Sequence, residues 1–247
     1  MIRRSRLAVA LVLTLALGVT GIAYAGGGAS THDAFVDGKV TNKKKPKLSP
    51  KKFKKVDFTT GVRTTGGITG TQANPAEEFI AFGKNIKFKN SAAPVCTATF
   101  PPGSTPSAAK ALCPGKSFLG SGTAKVFGPG GPVDENIVVS AFNGPGANQL
   151  RLHTYSVPLG PAAPTVQGFI VNANSGKKYG KALSVPLAPE TGPLMITQFD
   201  TTIKKSSGVV RARCKAKKFL WKRTVTYEDN STDTATLSQK CKKKKKK

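Results

Sequence analysis

Histidine and acidic residues are scarce in this 247-residue chain, which has two His and 12 Asp+Glu against 39 Lys+Arg. The four cysteines include no C-x-x-C pair, and zinc sites need closely spaced ligands. There is also no G-x-S-x-G elbow, the setting in which many hydrolases place their serine nucleophile. We therefore expect no metal or other cofactor and no enzymatic activity.

Long apolar runs are missing after the first residues of the chain. Residues 1–25 are predicted to be a signal peptide, because three arginines precede an apolar stretch (7–19) and the small-residue pattern Ala23-Tyr-Ala25. No transmembrane segment is predicted in the mature chain. The signal peptide predicts a secreted, extracellular or cell-envelope-associated protein. Four cysteines in an exported chain in turn suggest two disulfides.

Helical patterns are equally rare, and the one short helix predicted follows Thr105, which is a suitable cap. Elsewhere, roughly ten short strands alternate with breaks that carry Gly and Pro. This pattern predicts an all-β fold, a single β-sandwich or jelly-roll-like domain over residues 56–241. Residues 26–55, rich first in Gly and then in Lys and Pro, are predicted to be flexible.

Two local features are expected within the predicted domain. Phe79–Phe82 and Ile86–Phe88 are predicted to form a hairpin around the turn that starts at Gly83. The cysteines allow three disulfide pairings, and we favour Cys96–Cys113 with Cys214–Cys241, because each bridge would close a local loop. The short helix would then lie inside the first disulfide loop.

Lysine is abundant, and it is concentrated in two parts of the sequence. Nine lysines lie between Lys39 and Lys55 without an acid, and fourteen cationic residues lie between Arg211 and Lys247. Such runs are usually solvated, but they also bind anionic cell-wall polymers or membrane surfaces by electrostatics. The runs show no aromatic interleaving, so sequence-specific nucleic-acid binding is not expected. The candidate polyanion-binding residues are Lys43, Lys44, Lys45, Lys51, Lys52, Lys54, Lys55, Lys242, Lys243, Lys244, Lys245, Lys246 and Lys247, the last six forming a poly-Lys tail (242–247).

One motif of small turn residues, Cys113-Pro-x-x-Ser-x-x-Gly-x-Gly-x-Ala124, resembles a unit of exported proteins from high-GC Gram-positive bacteria. The order of later segments is similar too, including Ala141-Phe-Asn-Gly144, Leu150-Arg-Leu-His153 and Arg211-Ala-Arg-Cys214. These uncharacterised secreted proteins have no assigned activity. The resemblance therefore implies a secreted β-sandwich and no particular function.

A second hypothesis is an extracellular carbohydrate-active hydrolase on a jelly-roll scaffold, which would need two converging carboxylates. Glu77-Glu78 and Asp134-Glu135 are the close acid pairs outside the last hairpin, but they are expected to be solvated loop charges. His153 alternates with Leu150 and Leu152, which predicts an exposed strand histidine without a catalytic role. The preferred hypothesis is a non-enzymatic β-sandwich protein whose lysine-rich ends bind anionic surface polymers.

Overall fold

The computed structural model describes residues 33–41, 47–65, 75–128, 131–187 and 195–243. The predicted signal peptide lies outside these ranges. Strands dominate the described chain and a single α-helix, α1, occurs within it, so the all-β prediction is confirmed. The elements are β1 (Asp33–Thr41), β2 (Lys47–Leu48), β3 (Lys54–Lys55), β4 (Asp57–Thr65), β5 (Pro75–Gly83), β6 (Ile86–Phe88), α1 (Pro106–Ala111), β7 (Phe118–Gly128), β8 (Gly131–Asn143), β9 (Gln149–Tyr155), β10 (Thr165–Asn172), β11 (Tyr179–Pro186), β12 (Met195–Ile203), β13 (Val210–Ala212), β14 (Lys218–Tyr227), β15 (Thr232–Lys240) and β16 (Lys242–Lys243).

Eleven strands form one antiparallel sheet in the order β1-β4-β12-β7-β8-β9-β10-β11-β5-β14-β15. Two smaller sheets accompany it, a three-stranded one in the order β3-β13-β6 and a parallel pair of β16 with β2. The main sheet begins with β1, which lies within the segment predicted to be flexible. The folded part of the chain thus starts before residue 56.

The hairpin predicted from β5 and β6 is wrong. A turn at Lys84 and Asn85 does join the two strands, but β5 pairs with β11 on one side and β14 on the other. Because both edges of β5 are occupied, β6 leaves the main sheet and pairs with β13. β6 is therefore an edge strand of the three-stranded sheet.

Side-chain hydrogen bonds connect the two edge strands of the main sheet, β1 and β15, so that the sheet is nearly closed. The backbone N–H of Val40 on β1 donates to Gln239 Oε1 on β15 at 2.9 Å, and Gln239 Nε2 donates to the Val40 carbonyl at 3.5 Å. Arg223 Nη1 on β14 donates to the Phe35 carbonyl at 3.4 Å. These amide and guanidinium groups satisfy backbone polar groups that an edge strand would otherwise expose.

Aromatic side chains fill one end of the interior. Phe58 contacts Phe82 edge to face at a centroid separation of 5.2 Å and stacks on Trp221 at 6.2 Å. The Trp221 ring in turn lies against Gly38, where a Cβ atom would come within 2.3 Å of the indole. Burial of such rings supplies a large share of core stability. A Gly38 side chain would displace the indole, so the closure of the sheet requires glycine there.

The first disulfide loop covers the outer face of β8 and β9. Cys96 is joined to Cys113 and Cys214 to Cys241, the pairing that the sequence favoured. The loop buries Phe100 against Phe142 of β8 in a second, smaller apolar cluster. Its helix α1 begins as predicted, because Thr105 Oγ1 accepts the Ala108 N–H at 3.2 Å.

Candidate functional site

The two lysine-rich parts of the chain meet in the fold. β2 from the N-terminal part pairs with β16 from the C-terminal part, so the backbone of Lys47 lies beside that of Lys242. The Cys214 N–H donates to the Ser49 carbonyl at 3.0 Å, and the Cys214–Cys241 disulfide lies directly before β16. Charge that is split between distant parts of the sequence is therefore gathered in one place.

Two further segments reach the same junction. The Arg213 N–H donates to the Asn85 carbonyl at 2.9 Å, and Asn85 Nδ2 donates to the Lys218 carbonyl at 2.9 Å. Together the four segments carry sixteen lysines and arginines and no Asp or Glu. We call them the basic end: residues 47–55, 84–89, 211–218 and 240–243.

The three-stranded sheet lines up three cations within the basic end. Arg211 on β13 lies directly opposite Lys55 on β3 and directly opposite Lys87 on β6. Directly opposed residues share a face and have Cβ atoms about 5 Å apart, where like charges repel. Among the described residues, no carboxylate lies within 4 Å of any of the three. An anion laid across this row would relieve the repulsion.

Phe53 lies beside this row and is half-buried beneath two cations. Lys87 Nζ lies 4.7 Å from the ring centroid and Arg213 Cζ lies 4.5 Å from it. Cation–π contacts of this kind hold long side chains in place without neutralising them. The lysine runs were interpreted as lacking aromatic residues between the lysines, but Phe53 lies within the first run and contacts two cations, so that interpretation is corrected. The ring serves as a platform for the cations.

Gly208 helps to position two cations of the row, Arg211 and Lys55. Its φ of 72° lies in the left-handed region that glycine adopts without strain. Arg211 Nε donates to the Gly208 carbonyl at 3.4 Å. A Cβ atom on Gly208 would lie 3.1 Å from Lys55 Cε and 3.2 Å from Lys55 Nζ. The missing side chain leaves the space in which Lys55 lies.

The structure places only part of the predicted polyanion-binding set. Lys51, Lys52, Lys54 and Lys55 are exposed at the basic end. Lys43, Lys44 and Lys45 lie outside the described residues, as do Lys244, Lys245, Lys246 and Lys247; Lys242 and Lys243 are described only as strand β16.

Sequence reasoning missed Lys87, Arg211 and Arg213 as members of a site. Lys87 lies outside both lysine-rich parts, whereas Arg211 and Arg213 were counted in the second part but not named as binding residues. Their signal is a basic residue within or next to a short strand.

His153 is buried, which corrects the prediction of an exposed histidine. The first disulfide loop covers it: Ser104 Oγ lies 3.1 Å from His153 Nε2, and Phe100 packs edge to face on the imidazole. Burial lowers the pKa of His153, hydrogen bonding to Ser104 opposes this, and Arg151 lowers the pKa further. Among the described residues His153 Nδ1 has no hydrogen-bond partner, so no carboxylate there completes a catalytic triad with Ser104.

The predicted solvated carboxylates include two buried ones, which is a second correction. Glu78 is buried and accepts hydrogen bonds from Arg223 at both oxygens. Desolvation raises the pKa of Glu78, while the hydrogen bonds and charge of Arg223 act to lower it. Asp134 is buried and accepts from Ser156 Oγ at 2.5 Å.

The other two carboxylates are also engaged. Glu77 accepts from Ser184 Oγ at 2.6 Å, and Lys125 Nζ lies 3.2 Å from Glu135. Each of the four carboxylates thus has a local contact with a Ser, Arg or Lys side chain.

The described residues contain no group of three or more His, Cys, Asp or Glu placed to hold a metal ion. They also contain no helix that is both long and apolar enough to cross a membrane.

Comparison with known proteins identifies no family for the chain. No family model matches the sequence, and no curated protein matches it. Among solved structures, a cohesin module from a Clostridium perfringens family 33 glycoside hydrolase aligns with a TM-score of 0.30 and 6% identity, over 86% of this chain and 100% of the module.

Proposed function

We propose that this is a non-enzymatic protein of the cell surface or its surroundings, which binds anionic surface polymers through its basic end. The observation that carries the proposal is the row Lys55–Arg211–Lys87, set where both lysine-rich parts meet. Folding these cations together costs electrostatic repulsion that no described carboxylate offsets. A bound polyanion would supply the missing countercharge.

Phosphate-bearing polymers are the ligand class we favour. Guanidinium groups form paired hydrogen bonds with phosphate, and ammonium groups add point charges around them. Arg211 and Arg213 provide the first kind of contact, and the surrounding lysines the second. A flat row of cations on strands fits an extended polymer better than a compact small molecule.

Export supports this assignment, because the extracellular polyanions include wall phosphate polymers and lipid headgroups. The two disulfides are typical of exported proteins. The predicted signal peptide and the resemblance to exported proteins of high-GC Gram-positive bacteria favour the same location.

The direct test is retention on isolated cell-wall material and on anionic vesicles across a salt series. We expect the full-length protein to be retained at low salt and released steeply as salt rises. A version ending at Cys241 loses the tail and the partner strand of β2, yet keeps Lys55, Lys87 and Arg211, so it should bind more weakly without losing binding altogether. Absence of retention of the full-length protein on either material would contradict the proposal.

A further inference from the structure

The interior of the main sheet contains two adjoining cavities. The larger, of about 50 Å³, is lined by aliphatic residues such as Val62, Ala124, Val126 and Val166. The smaller, of about 20 Å³, lies next to it toward the aromatic end, and Leu152, Leu183 and Phe199 line both. The two spaces are therefore neighbours, separated by the thickness of these shared side chains.

The cavities follow from the size of the sheet and the residues that face inward. A closed sheet of about eight strands leaves an interior that side chains just fill, and this sheet has eleven. Phe58, Phe82 and Trp221 fill one end, whereas Val, Ile and Leu line the other and leave it incompletely packed. Cores are normally packed without such voids. An apolar cavity stays dry and is available to a small apolar group.

Two buried hydroxyl groups line the smaller cavity without partners. Thr60 and Thr201 lie directly opposite each other on β4 and β12, with exposures of 5% and 4%. Neither hydroxyl has a hydrogen-bond partner among the described residues. The adjacent pair on the outer face behaves differently, since Thr59 Oγ1 and Thr202 Oγ1 are hydrogen-bonded to each other at 2.9 Å. A buried hydroxyl without a partner is costly, so the inner pair is suited to a polar group brought in by a ligand.

We propose that the core binds one short aliphatic molecule, of about three carbons by the cavity volumes, with a neutral hydrogen-bonding end group. The aliphatic body occupies the larger cavity, and its hydroxyl end reaches Thr60 and Thr201 in the smaller one. A carboxylate end is disfavoured because it would be buried without a countercharge. The nearest buried cation, Arg223, already donates to both oxygens of Glu78, which lines the larger cavity.

The probe for this site is 1-propanol, compared with propane and propanoate by NMR of the methyl groups. We expect intermolecular contacts from propanol to the Leu152 and Leu183 methyls of the unmodified protein, and weaker binding of propanoate. Replacing the inner pair (Thr60→Val with Thr201→Val) should weaken propanol binding about tenfold through the loss of two hydrogen bonds and leave propane binding unchanged. The outer pair (Thr59→Val with Thr202→Val) is the matched control and should leave both unchanged.

A second variant tests the larger cavity. Ala124→Leu fills it and should abolish binding of propanol and propane, whereas Thr123→Leu, on the exposed face of the same strand, should not. The proposal is overturned if propanol gives no contacts with the unmodified protein, or if Ala124→Leu binds it as well as before. Equal propanol affinity of the inner-pair variant and the unmodified protein would overturn the assignment of the polar end.

Discussion

Arg211 lies directly opposite Lys55 in the three-stranded sheet, so two cations face each other where an ion pair would be expected. Lys87 extends the row on the other side of Arg211. A protein that used these residues only for folding would gain stability by exchanging one of them. The proposed anionic ligand would remove this repulsion while it is bound.

The first prediction concerns the stability of the free protein. Lys55→Gln should raise the free energy of unfolding by about 0.2–1 kcal/mol at low salt, because it removes repulsion with Arg211. The gain should shrink as salt screens the charges. Lys125→Gln is the control, since Lys125 faces Glu135 and its loss should not stabilise the protein. Urea unfolding at two salt concentrations measures both effects; a Lys55→Gln protein less stable at low salt would argue against repulsion.

The second prediction distinguishes two effects of a side chain at Gly208: backbone strain, which lowers stability, and displacement of Lys55, which lowers polyanion affinity. Gly208→Ala introduces a side chain at a φ of 72° and crowds Lys55, so it should lower both stability and polyanion affinity. Gly176→Ala places the same side chain at a φ of 86° with no atom within 4 Å. It should cost comparable stability, about 1 kcal/mol, without changing affinity. Equal affinities of the two variants would refute a role for Gly208 in holding the row.

The third prediction concerns the buried pair Glu78–Arg223. Arg223→Met should destabilise the fold by about 3–5 kcal/mol, because it leaves the Glu78 carboxylate buried without its partner. Adding Glu78→Leu should recover much of that loss, since no buried charge then remains. Chemical unfolding of the two variants decides the matter. If the double variant is as unstable as Arg223→Met, the loss comes from the hydrogen bonds to Phe35 and Arg63 instead.

The fourth prediction is a loss of stability in acid that depends on His153. Burial lowers the pKa of His153 below its ordinary 6.5, so the unfolded chain takes up the proton first as the pH falls. The free energy of unfolding should therefore decrease from about pH 6.5 downward until the folded form is protonated as well. His153→Gln should be less stable at pH 8 but should show a smaller decrease between pH 7 and pH 5. An unchanged pH dependence would rule out this source of acid sensitivity.

Local patterns were enough to predict much of the fold. Alternation and turn residues predicted an all-β domain of many short strands, and Thr105 predicted the start of α1. The spacing of the cysteines favoured the disulfide pairing that the structure contains. These features depend on residues close together in the sequence, which is why they could be read from it.

Burial of polar residues could not be predicted, because it depends on which distant segment covers them. His153 points away from the core as its strand phase implies, yet the first disulfide loop lies over it. Glu78 was taken for a solvated charge because its partner, Arg223, lies on a strand far along the chain. Neither contact leaves a local pattern in the sequence.

The candidate site was only half predictable for the same reason. The lysine runs were evident, but they lie in two distant parts of the sequence, and no local pattern showed that these parts meet. The pairing of β2 with β16 and of β13 with both β3 and β6 brings them together, and it adds Lys87, Arg211 and Arg213. Strands of two or three residues leave too weak a pattern for such pairing to be inferred.

The measurement that tests the central claim most directly is polyanion binding by a variant lacking the cation row. Lys55→Gln, Lys87→Gln and Arg211→Gln remove three positive charges from the basic end, and Lys110→Gln, Lys116→Gln and Lys125→Gln remove three from elsewhere. The first variant should bind cell-wall phosphate polymer about a hundredfold more weakly at low salt, with a shallower salt dependence. The second should bind nearly as the unmodified protein does. If the two variants lose affinity equally, net charge alone governs binding and the row is not a site.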